Sequence, residues 1–270
     1  MQAIESILSI ADRYDTIVFD QWGVLHNGAT AYPQAVGTIE ALIRDGKELC
    51  VLSNSGKRAD VNGARITGMG FPKAAFKVVM TSGEALAQDM TARARGMSRL
   101  YPITARPGDE EQWGAGIKVE WTRDLTQAEA VLLMGLPDAA EHPREADVLA
   151  QALAQALPLI CSNPDLASPR ANGTTVQSPG ALALAYQEAG GKVVFYGKPH
   201  RPIFDALFGR VSAQDPARVL MVGDSLHHDI AGAAAVGWHA LYIAGGLDAH
   251  KSHSAFDPGA VPTYTLPTLR

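Results

Sequence analysis

The chain has 270 residues, of which 47% are hydrophobic and 19% charged, and it carries a net charge of −5. That length suits one large core or two ordinary domains, and the balance excludes a disordered or low-complexity protein. Lys and Arg are scattered under a negative total, which argues against a nucleic-acid surface, and no apolar stretch is long enough to span a bilayer.

Residues 1–15 mix acids with apolar side chains and lack the basic start and cleavage site of a signal peptide. They predict a short amphipathic helix. Cys50 and Cys161 sit in or beside apolar runs and read as buried, reduced thiols of a cytoplasmic protein.

One pattern then recurs along the chain: an apolar run of strand length that stops at a polar, chemically capable residue. Residues 16–19 end at Asp20, residues 49–52 at Ser53-Asn54-Ser55, residues 193–196 at Gly197-Lys198, and residues 219–222 at Gly223-Asp224. Unbroken apolar runs suit strands buried on both faces, as in a parallel sheet. Helical patterns at 35–44, 203–211 and 230–236 alternate with them, which predicts an α/β fold with a doubly wound parallel sheet. In such sheets ligands bind beyond the carboxyl ends of the strands. An acid after a strand is also the ordinary way to cap a helix. Four polar clusters in matching positions favour a common site.

Far more chain separates the second and third runs than one crossover needs. It has strand-like pieces of its own at 99–103, 130–134 and 157–161, and a helical pattern over 144–157. We read residues 82–191 as an inserted α/β domain, leaving 1–81 plus 192–270 as the core.

The polar clusters, taken as motifs, resemble the haloacid dehalogenase (HAD) superfamily of phosphatases. The resemblance rests on Phe19-Asp20-Gln21-Trp22-Gly23-Val24-Leu25, Leu52-Ser53-Asn54-Ser55, Gly197-Lys198-Pro199-His200, and Gly223-Asp224-Ser225-Leu226-His227-His228-Asp229, in that order. The insertion is similar to the class IIA cap of NagD-like, nitrophenylphosphatase and pyridoxal-phosphatase proteins, with Ser162-Asn163-Pro164-Asp165 and Pro179-Gly180-Ala181 also matching. The resemblance implies a HAD-type Rossmannoid core, a class IIA cap and a Mg²⁺-dependent phosphohydrolase acting on a small phosphorylated metabolite, a sugar phosphate or a cofactor phosphate. It implies Asp20, Asp224 and the Trp22 backbone carbonyl as metal ligands, with Asp229 beside or behind them. It also allows a homodimer through the cap.

The chemistry of the residues runs parallel to that resemblance. Asp20 would attack phosphorus and form an aspartyl-phosphate, dividing one hard step into two. A phosphate dianion and a carboxylate repel, so the site needs a hard, oxygen-seeking cation such as Mg²⁺. Ser53 and Asn54 suit a phosphate clamp made of a hydroxyl and backbone N–H groups, or a plain strand-to-helix turn. Lys198 offers a compact charge to pair Asp20 and to offset that of the transferring phosphoryl group. Glycines at 23, 28 and 56 permit close backbone approach, or only make turns.

Trp22 departs from the superfamily pattern, which usually has a second aspartate there. A backbone carbonyl can still face a metal, but an indole cannot protonate a leaving oxygen or activate water. His26 is an alternative proton donor, although it reads more simply as a solvated loop histidine. His227 and His228 raise the alternative of a transition metal, and His250 and His253 read as exposed. Trp22 also keeps two other functions open: a catalytically impaired phosphate-ligand binding or regulatory protein, and a phosphotransferase or phosphonate-cleaving enzyme.

Overall fold

The computed structural model describes residues 1–93, 98–139, 141–169, 175–246 and 261–270, so His250 and His253 lie outside the described residues. The chain forms two compact units. The first comprises Met1–Ser53, Ala59–Met80 and Lys198–Arg270, the second Asn54–Arg58 and Thr81–Gly197.

The first unit is built on a 7-stranded sheet. Its spatial order is Gln2–Ala3, Tyr264–Leu266, His239–Ile243, Val219–Gly223, Thr16–Phe19, Glu48–Ser53 and Val78–Thr81. Thr16–Phe19 runs parallel to both neighbours, with Phe19 opposite Val222 on one side and Val51 on the other. From this strand the chain proceeds first to Glu48–Ser53 and later, on the opposite side, to Val219–Gly223. The strand ending at Asp20 is therefore the switch point where a doubly wound sheet opens a crevice. Every residue of Thr16–Phe19 and Val219–Gly223 is buried, as the unbroken apolar runs require. The helix Ala35–Arg44 packs Ala35, Ile39 and Leu42 into the core formed with Ile17, Phe19, Leu49 and Val51.

The second unit has a 5-stranded sheet in the order Val193–Phe195, Leu159–Cys161, Ala130–Leu133, Arg99–Ile103, Glu120–Trp121, all parallel. The helices Pro143–Ala154 and Pro179–Glu188 supply Leu149, Ala152, Ala183 and Tyr186 to a core with Val131, Leu133, Leu159 and Cys161.

Three expectations need correction. The run 193–196 is an edge strand of the second sheet, paired with Leu159–Cys161, and Lys198 follows it across the unit boundary. An apolar run specifies a strand but not its sheet, and Val194 is 47% exposed, as befits an edge. The N-terminal segment forms two short 3₁₀ turns, Ile7–Ser9 and Ala11–Arg13, rather than an α-helix. It is pinned at both ends, with Ile4 N–H bonded to the Thr265 carbonyl and Asp15 N–H to the Arg218 carbonyl, and those anchors override its helical pattern. The helix expected at 230–236 is instead a π-helical turn, Leu226–Ala231, running into a short α-helix, Gly232–Ala235.

Leu220 is fully buried in a strand flanked on both sides. Replacing it with alanine removes a large buried side chain at a site that cannot collapse easily. Leu220→Ala should lower stability by about 2–5 kcal/mol, read as a fall in the urea midpoint. A loss well under 1 kcal/mol would show that this strand is not central to the core.

Candidate active site

Asp20 leaves the sheet with its N–H still bonded to the Val222 carbonyl at 2.9 Å, which holds it beside the end of Val219–Gly223. Asp224 follows that neighbouring strand directly. Asp229 is delivered by the π-helical turn, where the N–H groups of Asp229 and Ile230 both reach the Ser225 carbonyl, at 3.0 and 3.2 Å. The widened turn buries Asp229 completely, and such turns often mark functional sites. Asp20, Asp224 and Asp229 each present a carboxylate oxygen within 4.8 Å of the others, the one cluster of that kind among the described residues.

Lys198 joins them. Its Nζ donates to Asp20 Oδ1 and to Asp229 Oδ1, both at 2.7 Å. The second oxygen of Asp229 accepts the Ser225 N–H at 3.1 Å. Burial pushes the Asp20 carboxyl up to about 7 against the pull of Lys198, and the negative charge of Asp229 adds to the rise. For Lys198 burial alone would lower the ammonium, but the attraction of Asp20 and Asp229 outweighs it and holds the group above its ordinary value. Lys198 therefore stays charged, and it is the natural counter-ion for two acids that would otherwise repel.

The glycines explain how the acids come so close. Gly23 has φ +79°, and a Cβ there would lie 1.8 Å from Asp224 Oδ2. Gly246 faces the same oxygen, where a Cβ would stand 2.4 Å away. A Cβ on Gly223 would meet Asp229 Cγ at 2.2 Å. Gly23 was expected either to permit close approach or only to turn the chain, and here it does both. Gly223 and Gly246 were not expected to have such a part, since their contacts are tertiary.

The remaining expected residues divide. Ser53 ends the strand next to Asp20's and is half-buried. Asn54 begins the second unit's first segment, and its side-chain amide donates to Asp165 Oδ1 at 2.7 Å. Trp22 is half-buried, lies edge-on to His26 with ring centroids 6.0 Å apart, and covers Gly28, where a Cβ would be 2.2 Å from its ring. His26 is fully buried, not a solvated loop residue. Its Nδ1 accepts the Gly28 N–H at 3.0 Å, and its Nε2 faces Gln21 Oε1 at 3.4 Å. Gln21 in turn donates to Asn62. Burial, helped by the positive charge of Arg65, lowers His26 to about 4. A neutral ring with its acceptor nitrogen already bonded to its own loop is poorly made for general acid work. The rings of His227 and His228 lie tilted at 59° to each other with centroids 5.2 Å apart, and His227 is exposed.

His26 ties stability to pH with a definite sign. Below pH 6.5 the unfolded chain binds a proton that the folded ring refuses until about pH 4. Its contribution is therefore full above pH 6.5 and is lost as the pH falls toward 4. Unfolding free energy should fall with pH in that window by up to about 1.4 kcal/mol per unit more in the wild type than in His26→Asn. Parallel curves from urea titrations between pH 7 and 5 would refute it.

Comparison with known proteins agrees with this geometry. Residues 17–118 match the family model for haloacid dehalogenase-like hydrolases, and residues 195–270 match a second model described as HAD-hydrolase-like. A crystal structure of a haloacid dehalogenase-like family hydrolase from Brucella suis 1330 is 31% identical, covering 99% of this chain and 100% of that one, with a TM-score of 0.84. The Gallus gallus glycerol-3-phosphate phosphatase is 26% identical over 98% of this chain and 93% of its own length. Human chronophin is 27% identical over 83% of this chain and 79% of its own.

Proposed function

Since the chain belongs to the haloacid dehalogenase-like hydrolase family and is a phosphatase, we propose that it hydrolyses a small phosphate monoester through an aspartyl-phosphate on Asp20. The observation that carries this reading is the bridge of Lys198 between Asp20 and Asp229, set beside Asp224. The relatives include a glycerol-3-phosphate phosphatase, which supports a small phosphorylated metabolite as substrate.

An Asp20 carboxylate oxygen attacks phosphorus, the bond from phosphorus to the ester oxygen breaks, and the alkoxide or aryloxide leaves and takes its proton from water. Water then cleaves the acyl phosphate and frees Asp20. The Ser53 hydroxyl and the backbone N–H groups from Asn54 onward would steady the equatorial oxygens, and Lys198 would offset their charge. The Asn54 side-chain amide is bonded to Asp165 at 2.7 Å.

The three acids offer only oxygen ligands, which fits Mg²⁺. Asp20, Asp224 and the Trp22 carbonyl would hold the ion. Asp229, with one oxygen on Lys198 and the other on the Ser225 N–H, positions the lysine instead. Bound there, Mg²⁺ supplies the positive charge that lets a phosphate dianion approach a carboxylate.

Millimolar Mg²⁺ should raise the melting temperature and support hydrolysis of 4-nitrophenyl phosphate. Asp224→Asn should abolish the thermal shift, and Asp20→Asn should cut turnover by roughly 10³-fold or more, the scale of losing a nucleophile. Turnover that survives Asp20→Asn would sink the aspartyl-phosphate. Binding without turnover in the wild type would instead favour a phosphate-ligand binding protein, the reading that Trp22 supports.

Trp22 also sets an expectation for leaving groups. Charge builds on the departing oxygen, and neither an indole nor a buried, bonded His26 delivers a proton to it. Hydrolysis should be slow on alkyl phosphates and better on aryl or acyl ones. Trp22→Asp should raise alkyl-phosphate turnover by about tenfold or more, within the 10²- to 10⁴-fold range of positioned acid catalysis. Brisk wild-type turnover of an alkyl phosphate would place the proton on another residue.

A further inference from the structure

Trp22 does more than lack an acid. The loop after Asp20 is built around its ring. Gly28, at φ +94°, has no room for a Cβ because the indole lies there, and it could not hold that backbone angle comfortably with one. His26 stands edge-on to the indole, and its Nδ1 accepts the N–H of the same Gly28. The other face of the imidazole network runs through Gln21 to Asn62, on the helix Ala59–Gly68. Arg65, on that helix, donates to the Gly28 carbonyl at 2.8 Å. The backbone closes as well, with Gly23 N–H bonded to the His26 carbonyl at 3.1 Å, and that same Gly23 lies against Asp224. One ring is thus fixed from several directions, immediately before a glycine that touches a site carboxylate. Yet Trp22 is not fully buried.

A core tryptophan would be covered, and a merely tolerated surface one would not need a left-handed glycine and a buried histidine to hold it. From this combination of rigid clamping and partial exposure, we propose that Trp22 is a specificity-determining wall, with His26 its positioning residue, selecting phosphate esters whose alcohol part carries a flat apolar face. The proposal rests on the phosphatase reading above and deepens it. Absence of the acid acts on the departure of the leaving group, whereas the wall acts on its binding, so the two are separable in kcat and KM.

Phenyl phosphate and 2-naphthyl phosphate have leaving groups of nearly equal basicity and differ in the size of the face. In the wild type with Mg²⁺, KM for the naphthyl ester should be lower by roughly 3- to 10-fold, the range of one aromatic pair, with kcat nearly equal. Trp22→Leu should bring the two KM values together, and Trp22→Phe should keep part of the difference. His26→Leu, which loses the acceptor for Gly28 N–H, should also bring them together, whereas His26→Asn, which keeps an acceptor, should preserve the difference. Equal KM values in the wild type, which need no variant to fold, overturn the wall and leave the phosphatase standing. A preference that survives Trp22→Leu overturns it too. No turnover of either ester overturns both readings.

Discussion

Three carboxylates with oxygens inside 4.8 Å of one another cannot all be charged without compensation, and Lys198 contacts two of them. This balance of charge orders the rest of the first unit. The lysine must be buried to serve, and it is tolerable there only because each acid it touches is an ion partner. Asp229 is the more deeply committed of the two, since its other oxygen closes the turn that carries it. Removing Asp229 would strand both the lysine and the turn, while removing Asp20 would leave Lys198 a partner. Asp20, the proposed nucleophile, is therefore the acid that the fold can best spare.

Positioning the charges follows from the sheet. Asp20 and Asp224 leave adjacent parallel strands one step apart in register, so their spacing is set by backbone hydrogen bonds and not by side-chain flexibility. A site built from strand ends inherits the stiffness of the sheet. The π-helical turn is the exception, and it places the third acid where a regular helix starting at Ser225 would not.

Much of this was legible in the residues. Asp20, Asp224 and Lys198 stand out because apolar runs stop at them, and a change from apolar to polar is local information. The insertion was legible as surplus chain with strand patterns of its own. What was not legible depends on contacts distant in sequence. Residues 193–196 read like core residues, and only their pairing with Leu159–Cys161 reveals which sheet they join. His26 looked solvated because its neighbours Asn27 and Gly28 are turn-like, whereas Gln21 and Asn62 bury it. The bond from the Asn54 side-chain amide to Asp165 was hidden in the same way, since that partner lies far along the chain. The N-terminal turns show the same principle, since an amphipathic pattern yields when both ends are tied down.

The glycine walls around Asp224 have a consequence in entropy. An aspartate at a surface samples several rotamers, and capturing an ion would freeze them at a cost of some tenths of a kcal/mol or more. Wedged between the Cα faces of Gly23 and Gly246, the Asp224 side chain is confined before anything binds. The rotamer freedom was surrendered when the chain folded, together with the larger backbone freedom that glycines give up. Folding thus bears a disorder cost that binding would otherwise meet, which trades a little stability for a site that needs little rearrangement.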